Sequence, residues 1–527
     1  MAHVEITING KEVEAEQGRW LIDVLNEQGC DIPNFCYHPG LGPDGNCRMC
    51  QVEYVSERGN RLAISCNQPV VEGLNVVTES DRVEKARAGV EEALLLNHPL
   101  DCPICDKAGE CTLQDYYMKH DLGNSNQQFR RFKKRKALDI GPTMVLDQER
   151  CVLCDRCVRF LRDWAGEEQL YIAGRGHEAF LTPFPGKDVD SAYSLNTVDL
   201  CPVGALTSKD FRFSTPTWML KRTPSTCTTC ARGCAIEVDV DTRDNTVQRL
   251  RPRYNPEVNG YWMCDEGRLN YKFVNTDRIR DGYVTRAGRK IDTTVDVVIG
   301  EIGKVLGDAK AAGSPVSILA SATCTLEEMF ALKKLAAVVG AKLEVATHVP
   351  DGEADDKLRV ADRHPNVTGA ELLRIPVVDL RGEGGGNGKA ADAGSVIMAV
   401  GFDYDVGPAV VKRCAASEKV VSVSARETAL SEMANLIAPG LTFAEKDGLI
   451  VNVEGRVQQL VPALDNLWDR TPTWQIISRL TGALSDGAGF GSIVDLRAAM
   501  MNEESAFSAV KMNAVGPTGS RTQAHTV

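Results

Sequence analysis

Several features that would place a protein in a common class are missing from this sequence. No apolar run in its 527 residues reaches the length of about 20 residues that a membrane-spanning helix needs. Neither a secretory signal nor an Arg-rich transit segment precedes the strand-like pattern that starts at Val4. Lys and Arg number 60 against 72 Asp and Glu, so the net charge of −12 argues against a nucleic-acid partner. These absences favour a soluble chain that stays where it is made, as in a bacterial cytoplasm.

Cysteine is scarce in the second half of the chain and crowded in the first half. Of 18 cysteines, 16 lie between Cys30 and Cys264, and only Cys324 and Cys414 follow. Disulfide-stapled scaffolds are short secreted chains, which excludes that class for a chain of this length. In a reducing compartment, clustered cysteines indicate metal or redox chemistry.

Signatures of nucleotide binding and of substrate chemistry are also absent. We find no nucleotide fingerprint, no flavin site and no pair of residues for proton abstraction. The glycine-rich stretch from Arg381 to Lys389 has Glu383 where a P-loop needs glycine, and Ala390 where it needs Ser or Thr. We predict a surface loop or a partner contact there, and no catalytic residues on this chain.

The first cysteine set, called the Cys36 group here, has the spacing Cys-x10-Cys-x2-Cys-x15-Cys. Thiolates are soft ligands that suit iron–sulfur clusters, and four of them complete a [2Fe–2S] centre. A structural zinc site is the alternative. The strand-rich start resembles a plant-type ferredoxin domain, although the cysteine spacing differs, and Cys30 is predicted to be a core thiol. The predicted ligands are Cys36, Cys47, Cys50 and Cys66.

The second set, the His98 group, combines one histidine with three cysteines. His98 lies one helical turn before Cys102, so that its imidazole can reach the same metal. A neutral nitrogen ligand makes a cluster less negative than four thiolates do and shifts its potential. The residue types alone fit zinc as well as iron, and the ferredoxin-like flanks favour a [4Fe–4S] cluster. The predicted ligands are His98, Cys102, Cys105 and Cys111.

The third set, the Cys151 group, is half of a two-cluster pattern. Bacterial two-cluster ferredoxins repeat C-x2-C-x2-C-x3-C-P, with each fourth cysteine serving the other cluster. One interleaved set is intact here, with Cys201-Pro202 downstream of the triplet. We infer a degenerate ferredoxin unit that holds one [4Fe–4S] cluster through Cys151, Cys154, Cys157 and Cys201. The positions of the lost set hold Leu161, Ser191, Ser194 and Thr197.

The fourth set, the Cys227 group, has the spacing Cys-x2-Cys-x3-Cys-x29-Cys in a small strand-rich segment. Four thiolates again fit a [4Fe–4S] cluster, while paired short spacings also occur in zinc ribbons. The predicted ligands are Cys227, Cys230, Cys234 and Cys264.

In this order, the four groups resemble the large iron–sulfur subunit of respiratory complex I, NADH:quinone oxidoreductase. His98-Pro-Leu-Asp-Cys102-Pro-Ile-Cys105, Cys111-Thr-Leu-Gln-Asp115 and Asp199-Leu-Cys201-Pro-Val-Gly204 match that family over residues 1–270. The resemblance implies one [2Fe–2S] cluster and three [4Fe–4S] clusters, with the fourth off the main electron path. Trp262-Met-Cys264-Asp-Glu-Gly-Arg268 and 448–456 resemble molybdopterin oxidoreductases more loosely, in a shortened form. We expect a docking shell there without molybdopterin.

The predicted fold class is α+β and multidomain, ending in an α/β layer with parallel strands. Strands are predicted at Val316–Leu319, 343–345, Val396–Val400 and Val420–Val423, and Thr325 is predicted to cap a helix that ends at Val339. The expected domains are 1–80 (β-grasp [2Fe–2S] ferredoxin), 81–120 (helical, His98 group), 121–215 (degenerate ferredoxin), 216–275 ([4Fe–4S] domain of molybdopterin-oxidoreductase type), 276–500 (shortened molybdopterin-oxidoreductase-like α/β domain) and 501–527 (disordered tail).

By resemblance, the chain relays single electrons from a flavin- and NADH-binding subunit to quinone-side iron–sulfur subunits. It would lie on the cytoplasmic side of a bacterial inner membrane and meet the membrane only through its complex. The basic stretch Arg130–Lys136 is interpreted as a solvated face or a contact for an acidic neighbour. Alternatives are a subunit of a soluble hydrogenase or formate dehydrogenase, a molybdenum enzyme, and a zinc-stapled scaffold. Related hydrogenase subunits usually keep both ferredoxin clusters, so the replacements at the lost positions favour complex I; they are Leu161, Ser191, Ser194 and Thr197.

Overall fold

The computed structural model describes residues 2–120, 123–382, 395–466, 470–485, 487 and 489–522. It divides into two compact units, Met1–Leu220 and Lys221–Val527. The glycine-rich stretch falls mostly outside the described residues. Within those residues, no helix is both long and apolar enough to cross a membrane.

The first unit opens with a five-stranded mixed sheet in the order β2-β1-β5-β3-β4. Asn9 and Gly10 both have positive φ, which suits the tight two-residue hairpin that joins the first two strands. The first and last strands of this segment run parallel, and helix α1 (Leu21–Glu27) packs its buried face on the sheet. The strands are β1 (His3–Ile8), β2 (Lys11–Glu16), β3 (Gln51–Tyr54), β4 (Arg61–Ile64) and β5 (Asn75–Val77).

The rest of the first unit consists of short elements that carry the next two cysteine groups. Two small antiparallel sheets form, one with the strand order β10-β7-β6 and one pairing β8 with β9. A π-helix, Phe160–Ala165, follows α4 without a break. The elements are α2 (Asp81–Leu95), α3 (Thr112–His120), β6 (Leu138–Asp139), β7 (Met144–Leu146), α4 (Arg156–Arg159), β8 (Leu170–Ala173), β9 (Phe180–Pro183), α5 (Asn196–Leu200) and β10 (Leu206–Ser208).

The second unit begins with a three-stranded antiparallel sheet and a short helix around the Cys227 group. Its core contains two of the four cysteines together with apolar residues of the sheet. The elements are β11 (Leu220–Thr226), β12 (Ala235–Asp241), β13 (Thr246–Pro252) and α6 (Asp265–Leu269).

An eight-stranded sheet forms the body of the second unit, with the order β15-β14-β21-β20-β19-β16-β17-β18. The six consecutive strands from β21 to β18 in this order run parallel. Buried apolar strands that alternate with helices along the chain predict such a parallel arrangement. Its strands are β14 (Gly282–Arg286), β15 (Arg289–Thr293), β16 (Val316–Ser321), β17 (Lys342–Thr347), β18 (Val377–Asp379), β19 (Val396–Val400), β20 (Lys419–Ser424) and β21 (Leu436–Pro439).

Helices pack on this sheet, and a second small sheet lies beside it in the order β22-β23-β24. The helices are α7 (Val295–Ala312), α8 (Leu326–Val339), α9 (Val367–Leu372), α10 (Pro408–Ala415), α11 (Ala429–Met433), α12 (Thr473–Leu484) and α13 (Ile493–Glu503). The small strands are β22 (Gly448–Val451), β23 (Arg456–Leu460) and β24 (Ser520–Arg521). Single 3-10 turns are Cys102–Ile104, Gly176–Glu178, Thr217–Met219, Lys272–Asn275, Ser505–Phe507 and Met512–Ala514.

The mixed α+β fold class is confirmed. Each of the four strands predicted in the second half is present, and α8 starts and ends as the sequence predicts. Thr325 accepts a hydrogen bond from the Glu328 N–H while the Glu328 carboxylate accepts one from the Thr325 N–H, which is the predicted capping box.

The disordered tail predicted for 501–527 is wrong for residues 501–522. Helix α13 runs to Glu503, and β24 pairs with β23. Phe507, Val510 and Met512 are each at most 1% exposed, because they join the core of the α/β layer. Burial of these three side chains stabilises a segment whose Ser-, Thr- and Gly-rich composition indicates disorder. Residues 523–527 lie outside the described part of the chain.

Candidate iron–sulfur sites

The Cys36 group comes together around the loop that joins α1 to β3. The Cys36 thiol contacts those of Cys47 and Cys66, and the Cys50 thiol also contacts Cys66. Three of the four side chains are buried, and Cys47 is partly exposed. The structure therefore places all four predicted ligands in one cluster of sulfur atoms.

The backbone of this loop is shaped around the sulfur atoms. The Phe35 N–H donates to the Cys47 Sγ at 3.4 Å, and Arg48, between two of the cysteines, has a φ of 60°. A non-glycine residue in this left-handed region is uncommon and often marks a functional site. Contacts with the Cys47 and Cys66 thiols lower the pKa of Cys36, and the contact with Cys66 lowers the pKa of Cys50 to about 7. The same contacts raise the pKa values of Cys47 and Cys66, so the four thiols share their protons closely.

The His98 group lines one small cavity with all four of its predicted ligands. Burial, and then the charge of Arg150, lower the pKa of His98 to about 4, so that its ring is neutral near pH 7. A neutral imidazole offers a nitrogen lone pair to a metal. Cys111 directly precedes α3, whose first N–H groups, at Leu113 and Gln114, donate to its sulfur.

Two further residues of this cavity were missed by sequence reasoning. A Cβ built on Gly204 would lie 2.2 Å from the Cys105 Sγ, so only glycine fits there. Arg150 donates to Asp101 at 3.0 Å, and Lys136 contacts the same carboxylate at 2.6 Å. Gly204 follows Cys201-Pro202-Val203, so the motif of the next group was the signal that could have pointed to it.

The Cys151 group surrounds another small cavity, between the loop before α4 and the segment after α5. Burial raises the pKa values of Cys151 and Cys154 to about 12, and the pKa of Cys157 is raised well above its ordinary value. Leu153 and Asp155 both have positive φ, which lets the chain turn sharply between successive cysteines. Such buried thiols ionise only beside a compensating positive charge, which iron supplies.

The four residues at the positions of the missing second ligand set are buried in the core; they are Leu161, Ser191, Ser194 and Thr197. The Ser191 Oγ donates to Glu167 at 3.1 Å, the Thr197 Oγ1 donates to the Ser194 carbonyl at 2.7 Å, and Leu161 is fully buried. These side chains serve packing and hydrogen bonding.

The Cys151 group makes direct contacts with both other groups of the first unit. On one side, the Asn46 Nδ2 beside Cys47 donates to the Leu153 carbonyl at 2.8 Å. On the other side, Gly204 lies against Cys105, and the Thr112 N–H donates to the Pro202 carbonyl at 2.9 Å.

The Cys227 group lies in the second unit, where its four cysteines come from the ends of β11, β12 and α6. A Cβ on Gly267 would lie 3.2 Å from the Cys227 Sγ and 3.3 Å from the Cys264 Sγ, so both sulfurs flank this glycine. The Gly267 N–H donates to Cys264, which is the N-cap of α6. Burial raises the pKa values of Cys230 to about 11 and of Cys264 to about 12.

The donor sets fit iron–sulfur clusters. Thiolates and a neutral imidazole are ligands that iron–sulfur clusters use, so the chemistry of these donors suits such clusters. In the His98 and Cys151 groups the donors line one small cavity each.

A cavity of about 310 Å³ lies beside the Cys227 group, at the carboxyl ends of parallel strands. Thr323 follows β16 and Asp403 follows β19, and these two strands are neighbours in the sheet. The chain continues from β16 to β17 on one side and from β19 to β20 on the other side. Ligands of such folds bind at the point where the strand order reverses in this way. However, none of the described cysteines lines it, and Cys324 and Cys414 are buried in the core. Its two cations are paired, Lys446 with Glu328 and Arg363 with Glu266.

Five family models match successive parts of the chain. The "2Fe-2S iron-sulfur cluster binding domain" covers 1–81 and the "NADH-ubiquinone oxidoreductase-G iron-sulfur binding region" covers 87–126. The "NADH-quinone oxidoreductase subunit 3, ferredoxin-like domain" covers 141–207. The "Molybdopterin oxidoreductase Fe4S4 domain" covers 220–276 and "Molybdopterin oxidoreductase" covers 407–483. Domains that bind [2Fe–2S] and [4Fe–4S] clusters are therefore present.

Curated relatives are consistently named as subunits of one enzyme. The NADH-ubiquinone oxidoreductase 78 kDa subunit of Neurospora crassa is 39% identical over 67% of this chain and 47% of its own length. The 78 kDa subunit of Candida albicans is 38% identical over 65% and 47%. The 75 kDa subunit of Reclinomonas americana is 34% identical over 72% and 55%. The chain spans about half the length of these relatives.

Among solved structures, an NAD+-reducing [NiFe]-hydrogenase in the H2-reduced state is 32% identical over 41% of this chain and 92% of that chain, with a TM-score of 0.37. The curated matches extend further along the chain than this one and agree with each other in name. Over about two thirds of its length, the chain is a homologue of the 75–78 kDa subunits of NADH-ubiquinone oxidoreductase.

Proposed function

We propose that this chain is an electron-transfer subunit of NADH:quinone oxidoreductase, relaying single electrons from a flavin subunit towards quinone. Its partners in this proposal are the flavin- and NADH-binding subunit and the quinone-side iron–sulfur subunits. It would bind the cytoplasmic side of a bacterial membrane through those partners, without touching nucleic acid.

One observation carries this proposal: three of the cysteine groups lie in one unit and are joined through residues next to their ligands. Leu153 and Gly204, both beside Cys151-group ligands, contact the Cys36 group and the His98 group respectively. A relay needs redox centres held close together at fixed spacing, which such contacts provide. We assign the Cys151 group to the middle of the path.

When bound, the clusters supply one-electron redox chemistry, and the chain positions and insulates them. We assign one [2Fe–2S] cluster to the Cys36 group and one [4Fe–4S] cluster to each of the other three groups, with their predicted cysteines and His98 as ligands. We propose the domain limits expected from the sequence, with residues 501–522 assigned to the α/β domain. The Cys227 group belongs to the second unit and is proposed to lie off the main path, and no molybdopterin is expected.

The test is the identity of the proteins that purify with the tagged full-length chain. Anaerobic purification in mild detergent, followed by mass spectrometry, is expected to recover a flavin- and NADH-binding subunit together with membrane subunits. Recovery of a soluble hydrogenase or formate dehydrogenase catalytic subunit, without membrane partners, would overturn the assignment to complex I and leave the cluster assignments intact.

A further inference from the structure

Arg159 reaches from the Cys151 group into the ligand loop of the Cys36 group. It ends α4, two residues after Cys157, and only 5% of its surface is exposed. Its Nη1 donates to the carbonyl oxygens of Leu41 and Gly42 at 3.4 and 3.2 Å, and its Nη2 donates to the Cys36 carbonyl. The Arg159 guanidinium thus binds the backbone of the predicted ligand Cys36 and of the loop that follows it.

Arg156, one turn earlier on the same helix, binds the residues of this loop on either side of Cys36. Its Nη2 donates to the Asn34 Oδ1 at 2.9 Å and to the Tyr37 carbonyl, while its Nη1 donates to the Leu200 carbonyl at 3.3 Å. The two arginines together hold residues 34–43 against the helix that carries Cys157.

In the described part of the chain, neither guanidinium has a carboxylate within ion-pair distance. By contrast, the nearby Arg150 pairs with Asp101 and Arg162 pairs with Asp163. Asp44 and Asp155 act on Arg159 only through longer-range electrostatics. Burying a cation without a partner is costly, so this arrangement calls for a nearby anion.

We propose that Arg159 is a positioning residue of the [2Fe–2S] site, which ties the Cys36 loop to α4 and raises the cluster's reduction potential with its unpaired charge. This inference rests on the proposed function of the Cys36 group. The thiolate-held cluster is the anion that the buried guanidinium lacks, and reduction adds one more negative charge to it. The cation therefore stabilises the reduced form more than the oxidised form.

The test is a redox titration of the purified full-length chain or its complex, followed by electron paramagnetic resonance, for wild type, Arg159→Gln and Arg159→Lys. Arg159→Gln is expected to weaken electron binding by the [2Fe–2S] cluster about tenfold, a downward shift of about 59 mV for a one-electron couple. Arg159→Lys keeps the charge and is expected to stay nearer the wild-type potential, although its single ammonium cannot bond several loop carbonyls at once as the guanidinium does.

Arg162→Gln is the matched control, because Arg162 is three residues away, 45% exposed and paired with Asp163 at 2.6 Å. It is expected to leave the [2Fe–2S] potential unchanged. An unchanged potential in Arg159→Gln, or an equal shift in Arg162→Gln, would overturn the proposal. If Arg159→Gln retains no cluster, Arg156→Gln is measured in its place. We expect Arg156→Gln to lower the [2Fe–2S] reduction potential by a smaller amount, and an unchanged potential would overturn the proposal. A wild-type chain without a [2Fe–2S] signal would instead contradict the proposed function.

Discussion

His98 is the one predicted ligand that is not a thiol, and its replacement tests the ligand set residue by residue. Cysteine at this position adds a thiolate in place of a neutral ring and makes the cluster more negative. We expect His98→Cys to keep a [4Fe–4S] cluster and to lower its reduction potential by on the order of 100 mV.

A redox titration monitored by electron paramagnetic resonance measures this shift. His3→Cys is the control, since His3 is exposed and pairs with Glu14 on the surface. Unchanged cluster signals in His98→Cys would show that His98 is a packed core residue and not a ligand.

Gly204 is a second residue-scale test, because its hydrogen faces a sulfur atom. Alanine there would place a methyl group 2.2 Å from the Cys105 Sγ. We expect Gly204→Ala to lose most of the iron of the His98 group, or to cost about 1–3 kcal/mol of stability through overpacking. Iron content and thermal unfolding measure these effects.

Gly89→Ala provides the comparison for Gly204, because the added methyl group meets nothing within 4 Å on α2. Alanine favours a helix by about 1 kcal/mol over glycine, so this control is expected to unfold at the same temperature or higher. Equal iron content together with an equal unfolding temperature in both variants would show that Gly204 has no special role.

At the residue scale, the ligands could be predicted because their spacing is local in sequence and their chemistry is distinctive. Arg159 could not, because it acts on the Cys36 loop, which is distant in sequence, and no local pattern records that contact. The Cys201 motif pointed towards Gly204 but not to its contact with Cys105. The same holds for Lys136, whose basic stretch suggested a solvated face while the side chain pairs with Asp101.

At the scale of elements, α13 is held to α8 by a buried ion pair. The Arg497 Nε contacts the Glu327 Oε1 at 2.7 Å, and Glu327, fully buried, also accepts the Leu449 N–H. Arg497→Met leaves that carboxylate without its cation. We expect a loss of about 3–5 kcal/mol in the free energy of unfolding, measured by urea denaturation of the C-terminal α/β layer.

Arg479→Met is the surface counterpart of that change, since Arg479 pairs with an exposed Asp296 at 2.6 Å. Exposed pairs contribute about 0–1 kcal/mol, so only a small change is expected. Equal losses in the two variants would contradict the anchoring role of Arg497.

Helix α8 was predictable because its cap and its apolar run act over neighbouring residues. The ordered segment after α13 was not, because Phe507, Val510 and Met512 gain their burial from α/β-layer residues distant in sequence. Composition reports local tendency, and here tertiary packing outweighs it.

At the scale of the whole molecule, a cluster-bearing first half precedes an α/β layer whose cavity lacks a thiolate among the described residues. Homology to the complex I subunits extends over about two thirds of the chain. We therefore propose that four iron–sulfur clusters, and no other metal, occupy this chain.

The most direct measurement is the metal content of the anaerobically purified full-length chain, with Mössbauer spectra to separate two-iron from four-iron clusters. One [2Fe–2S] and three [4Fe–4S] clusters predict about 14 iron atoms per chain and no stoichiometric zinc. A colourless preparation that contains zinc in place of iron would contradict the account.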